Sequence, residues 1–143
     1  MTTINRSALL PYQAGQIYQL VNDIEAYPQF MDGCVGAEVL YRDASVVEAR
    51  LDLSKGGITQ SFSTRNFLEH NAAIRLELLD GPFERFHGCW EFKALGEAAC
   101  KVALELEFRA SNAVLGLAAS KLFDKVTNNL VDALAQRARM VYG

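Results

Sequence analysis

The chain has 143 residues, half of them hydrophobic, with a formal charge of −3 and only two histidines. That length and apolar content fit one domain spanning 1–143 with a sizeable core. An acidic balance argues against a footprint for DNA or other bulk nucleic acid, and no stretch approaches the ~20 apolar residues of a membrane span, which leaves at most peripheral membrane contact.

Residues Met1 to Arg6 lack a charged region followed by an apolar one, so no secretory signal is read and the cytoplasm is the expected compartment. Thr3 to Leu10 reads as a strand ended by Pro11. A short helix follows, with Ile17, Leu20, Val21 and Ile24 on one face, and it must stop before Pro28. A brief helical turn is expected at Pro28 to Met31, closed by Asp32-Gly33.

From Val35 to Arg109 the period changes to two. Val47, Ala49, Leu51 and Leu53 alternate with charged residues, and Gly56-Gly57 then offers the positive φ angles of a tight hairpin. Further strands are read at Thr59–Glu69, Ile74–Leu79, Phe86–Lys93 and Cys100–Arg109, separated by His70-Asn71, Asp80-Gly81-Pro82 and Gly96-Glu97. From Asn112 to about Val141 the period becomes helical, with Ser111 or Asn112 as N-cap. About 30 residues would make one rod of roughly 45 Å, and Gly116, Ala118 and Ala119 near its start leave clearance. The fold class is therefore α+β: an antiparallel sheet of about six strands following the first, with one long C-terminal helix burying its stripe on the sheet's apolar face.

No catalytic motif stands out, and no nucleotide-binding or zinc signature is present. Cys34, Cys89 and Cys100 are an odd number at spacings that fit no metal or redox motif, and read as reduced thiols. His87 and Cys89, two apart on a strand, share a face and are a formal base–nucleophile pair, or two ordinary sheet residues. Arg65 draws attention because its strand neighbours Ser61, Ser63 and Thr64 are polar without charge. That pattern fits a partly polar cavity wall or a plain edge strand, while Arg65 with Arg50, Arg75, Arg109 and the acidic residues Asp52, Glu77, Glu105 and Glu107 also reads as cross-strand pairs on the solvated face. Phe83, Phe86, Trp90 and Phe92 crowd one stretch and Tyr27, Phe30 and Met31 another, as a core cluster or as the lining and mouth of an apolar pocket.

Several short motifs in order then carry a family likeness over nearly the full length. They are Leu10-Pro11-Tyr12, Leu20 to Ile24, Tyr27-Pro28-Gln29-Phe30, Ser54 to Ile58 and Phe62 to Asn66. The most specific are Leu79-Asp80-Gly81-Pro82-Phe83 and Gly88-Cys89-Trp90-Glu91-Phe92. The chain resembles the coenzyme Q-binding START-like family, and within it the bacterial ribosome-association-toxin (RatA) branch, also described as oligoketide cyclase or lipid transport proteins. One departure is Asp32, where the family often has proline.

The resemblance implies a helix-grip fold with a cavity between sheet and long helix. It further implies a bound ubiquinone or related polyprenyl lipid, held as ligand and not as redox cofactor, in support of respiration, without enzymatic activity. Expected lining residues are Phe62, Arg65, Leu76 and Leu78, then Phe83, Phe86 and Trp90, then Leu104 and Leu106, with Leu122 and Val126 from the helix. Tyr27, Pro28 and Phe30 would frame the mouth. No metal site is expected. The RatA branch also implies a partner, the large ribosomal subunit, with Lys121, Lys125, Arg137 and Arg139 as the available cations. A third reading, a polyketide cyclase or aromatase, would need Arg65, His87 or Tyr41 to converge inside the cavity.

Overall fold

The computed structural model describes residues 2–110 and 115–143. The expected caps Ser111 and Asn112 lie outside the described residues, and so do the side chains that would surround Gly116. In chain order the elements are β1 (Thr2–Leu10), α1 (Ala14–Asn22), a 3-10 helix (Ile24–Gln29), β2 (Cys34–Arg42), β3 (Val46–Lys55) and β4 (Ile58–Glu69). Then come β5 (Ala73–Asp80), β6 (Phe83–Ala94), β7 (Cys100–Ala110), α2 (Leu115–Asn128) and α3 (Leu130–Tyr142).

The seven strands make one antiparallel sheet in the order β1-β7-β6-β5-β4-β3-β2. The first strand thus pairs with the last, and α1 with the 3-10 helix carries the chain from one edge of the sheet to the other. Gly56 and Gly57, at φ 62° and 82°, turn β3 into β4. A two-residue hairpin of this kind needs positive φ at both central residues, which glycine adopts at no steric cost. Gln16 begins α1 by accepting the Gln13 backbone N–H through its side chain at 2.9 Å.

One face of the sheet is apolar and the other charged, as strand alternation dictates. On β7, Val102, Leu104, Leu106 and Phe108 are all buried, while Lys101 and Glu105 are exposed. On the outer face Arg65 and Glu48 sit opposite each other in register and ion-pair at 2.8 Å, and Arg50 meets Asp52 at 3.0 Å. Exposed pairs of this type contribute about 0–1 kcal/mol each, so they keep that face wet more than they hold the fold.

Two expectations are corrected. The first helix ends at Asn22, and the turn read at Pro28–Met31 is a 3-10 helix at Ile24–Gln29 with Pro28 inside it. The C-terminal helix is not one rod. It breaks at Asn129, where φ −103° and ψ 4° leave the helical range. Just before the break the Thr127 hydroxyl donates to the Phe123 carbonyl at 2.7 Å, and the Asn128 amide donates to the Asp124 carbonyl at 2.8 Å. Side chains that bond back to the preceding turn compete with the backbone ladder and bend helices. The bend lets α2 grip the sheet while α3 turns toward α1, where the Tyr142 hydroxyl donates to the Gln16 carbonyl at 3.0 Å.

Candidate functional site

The space between the inner face of the sheet and the helices is an apolar cavity. Each central strand contributes inward residues two apart: Ala49 and Leu51 from β3, Phe62, Thr64 and Asn66 from β4, and Ile74 and Leu76 from β5. Phe86 and Trp90 from β6 and Leu104 and Leu106 from β7 complete the sheet side. Val21, Ile24, Tyr27 and Met31 close one side, with Phe123, Thr127 and Leu130 above. The cavity is partly open: it offers about 60 Å³ to the centres of water-sized groups, and its free space counted out to solvent is about 600 Å³. Pockets for small organic ligands span ~300–1,000 Å³. As it stands the cavity therefore has room for a few water-sized groups, and a larger guest must extend along the cleft toward solvent or part α2 from the sheet.

One end of the cavity is a knot of rings. Phe123 meets Phe108 at 4.8 Å, Phe62 at 5.3 Å, and Phe83 and Phe86 at 5.4 Å each, all edge-on. Edge-to-face packing suits the ring quadrupoles and fixes the helix against β4, β6 and β7. At the other side the Tyr27 hydroxyl donates to the Val21 carbonyl. Burial, with Cys34 and Asp23 nearby, holds that phenol well above its ordinary range, so it stays protonated.

The expected residues divide. Phe62, Leu76, Phe86, Trp90, Leu104, Leu106 and Tyr27 line the cavity. Phe83 is buried one layer behind, in the ring knot, and Leu78 is half-buried against the core. Leu122 and Val126 are buried on α2 beside the cavity rather than in its wall. Pro28 is exposed, and half-buried Phe30 packs edge-on to Tyr27 at 5.7 Å under the Arg137 guanidinium. Arg65 is corrected: it lies on the outer face with Glu48. With Phe62 inward, residues 64 and 66 share its face and 65 cannot. Thr64, one of the uncharged polar residues read as a possible cavity wall, does face inward; Asn66, which the same phase from Phe62 identifies, and Thr127 join it as polar wall residues that the sequence reading does not single out.

The catalytic candidates do not converge in the cavity. Tyr41 is half exposed and its hydroxyl donates to Asp43 at 2.7 Å. His87 lies on the outer face with Nε2 3.0 Å from the Glu107 carboxylate. Cys89 shares that face, where burial and then Glu91, Glu69 and Glu105 raise its thiol pKa, the reverse of what activates a nucleophile. Burial also raises Cys34 and Cys100. Thiol labelling at neutral pH is therefore expected to proceed slowly at half-buried Cys89 and to reach Cys34 and Cys100 only on denaturation. Fast labelling of all three in the native protein would contradict this placement. Among the described residues no group of three or more potential ligands could hold a metal ion, and no helix is long and apolar enough to cross a membrane.

Comparison with known proteins fits this geometry. Residues 10–135 match the family model described as polyketide cyclase / dehydrase and lipid transport. The chain belongs to that family. Within this polyketide cyclase and lipid transport family, it is 44% identical over 142 residues to a ribosome association toxin RatA of Pseudomonas aeruginosa, covering 99% of both chains. A mitochondrial coenzyme Q-binding protein of Dictyostelium discoideum is 29% identical over 87 residues, 59% of this chain and 42% of that one. A START superfamily protein from Mycobacterium smegmatis superposes with a TM-score of 0.80 at 24% identity, covering 97% of this chain and 98% of that one. The fold is thus the START-like helix grip, with a seven-stranded sheet around a bent C-terminal helix.

Proposed function

We propose that this protein is a non-enzymatic binding module of the cytoplasm with two working surfaces: an interior that takes a hydrophobic ligand, and an exterior that associates with the ribosome. The observation that carries the first is the apolar cavity with Trp90 and Phe86 in its wall. A polyprenyl quinone such as ubiquinone suits it. Its ring would lie against the apolar wall, with α2 parting from the sheet or the ring extending into the cleft to make room, and its tail would follow the cleft. The coenzyme Q-binding relative supports this choice. Incubation with vesicles containing ubiquinone, followed by separation of the protein, tests it: the protein fraction should carry quinone away in molar proportion. A protein fraction free of quinone would remove this reading.

The second reading is favoured by the likeness to a ribosome association toxin over 99% of both chains, a heavier argument than the partial match to the quinone-binding protein. Lys121, Lys125 and Arg139 are exposed on α2 and α3 and are available to phosphates. Arg137 is already engaged, donating to Gln29 at 3.1 Å and stacking over Phe30. Cosedimentation with isolated large ribosomal subunits should be strong in low salt and fall steeply as salt rises, because each phosphate contact releases counterions. Replacing Lys121 and Lys125 together by glutamate should weaken it further. Absence of cosedimentation in low salt, or indifference to salt, would overturn the reading.

A further inference from the structure

The walls of the cavity are largely apolar, and two polar side chains meet on the inward face of β4. Asn66 is 7% exposed and Thr64 9%, side by side on the inward face. The Thr64 hydroxyl donates to the Asn66 carboxamide oxygen at 2.8 Å. That bond fixes the amide plane and leaves the nitrogen, with its two N–H donors, on the side away from Thr64. Among the described residues no acceptor takes either N–H. Among the described residues the fully enclosed unpaired polar atoms are Asn22 Oδ1 and Arg137 Nε, so Asn66 Nδ2 is not fully enclosed. An unpaired atom that is not enclosed must border free space, and the free space beside Asn66 is the cavity.

Three of the wall's other donors are spent, and among the described residues the Trp90 indole N–H is the remaining one besides the Asn66 amide. Thr127 donates to the Phe123 carbonyl, Tyr27 to the Val21 carbonyl, and Thr64 to Asn66. No lysine, arginine or histidine lines the cavity, and no aspartate or glutamate does. A ligand that entered as an anion would lose its hydration with no cation to replace it.

We propose that Asn66, oriented by Thr64, is the polar anchor of the cavity and selects neutral apolar ligands that present a carbonyl oxygen, as quinones and aromatic ketones do. A hydrocarbon of the same shape would leave the amide N–H groups unpaired, and a carboxylate or phosphate would lack a counter-charge. A buried donor without an acceptor is the arrangement that discriminates most sharply between otherwise isosteric ligands. This deepens the ligand-binding reading above and rests on it.

The single tryptophan of the chain, Trp90, lies in the same wall and reports occupancy through its fluorescence. Titration with decyl-1,4-benzoquinone and, separately, with decylbenzene distinguishes the anchor from the cavity. The native protein should bind the quinone more tightly. Asn66→Leu should lower quinone affinity by about tenfold and leave decylbenzene affinity unchanged or higher. Thr64→Val, which frees the amide to rotate, should produce a smaller loss in the same direction. Asn66→Met provides a second variant if the leucine variant fails to fold; it is unbranched, of similar reach and without a donor, so it too should lose the quinone selectively. Equal losses for both probes, or no preference for quinone in the native protein, would overturn the anchor while leaving hydrophobic binding intact. Failure of both probes to bind the native protein would overturn the ligand-binding reading itself.

Discussion

Replacing Phe123 by alanine is expected to destabilise the protein by about 3–5 kcal/mol and to lower its melting temperature by roughly 10 °C or more. Phe123 is 3% exposed and touches four other phenylalanine rings, on β4, β6 and β7. With Leu122 and Val126 it fixes α2 to the sheet, and it is the aromatic part of that contact. Removing it leaves a void at the point where four strand residues converge, and the ring knot cannot close over it without moving backbone. Urea unfolding measures the loss directly. Leu40→Ala, on the exposed edge strand, is the control and should cost less than about 0.5 kcal/mol. A Phe123→Ala loss below about 1 kcal/mol would mean that α2 is not docked on these strands.

The second large effect is expected at Gly88. It lies on the inward face of β6, in register with Leu76 on one side and Leu106 on the other. A Cβ at this position would stand 2.3 Å from Leu106 Cδ2 and 3.0 Å from the Glu105 carbonyl oxygen. The leucine can rotate away, but the carbonyl belongs to the paired strand and cannot. Gly88→Ala is therefore expected to cost about 1–3 kcal/mol by overpacking, and Gly88→Val more. Because Leu76 and Leu106 both line the cavity, the displaced side chain also narrows the ligand's space. A variant that retains native stability and native quinone affinity would show that the sheet relaxes here more easily than its register implies.

Much of this architecture is legible in the chain because strand phase is rigid. Once Trp90 or Leu104 is placed inward, every second residue follows, and the sheet side of the cavity emerges from the alternation of β6 and β7. Arg65 carries two readings, a cross-strand pair on the solvated face and a cavity-wall residue beside uncharged polar neighbours; its phase relative to Phe62 decides for the first. Helix phase is less forgiving. Each residue turns the face by about 100°, so Leu122 and Val126 fall beside the cavity while Phe123, Thr127 and Leu130 enter its wall. An apolar stripe wide enough to cover the sheet does not say which of its rows borders empty space.

The helix break was also present in the sequence as Thr127-Asn128-Asn129, a run of residue types that compete for nearby backbone, as Thr127 and Asn128 do here. It was obscured by an apolar period that continues across it from Val126 to Leu130. The strand at Cys34–Arg42 lacks a clean alternation because its pairing with β3 shifts register twice, at Cys34/Gly36 and Val39/Tyr41. Bulges of this sort at a sheet edge increase local twist and discourage pairing with another chain. The cavity itself, as opposed to a filled core, depends on the volume left between well-packed elements, which no residue pattern encodes locally.

The central claim is that the cavity holds a hydrophobic ligand. Native mass spectrometry of the protein purified from cytoplasmic expression tests it most directly, followed by solvent extraction and identification of what is released. The account predicts a mass increment in stoichiometric amount, lost on denaturation, and a neutral polyprenyl quinone in the extract. A clean mass for the unliganded chain that persists after incubation with quinones would contradict it, and would leave ribosome association as the function to pursue.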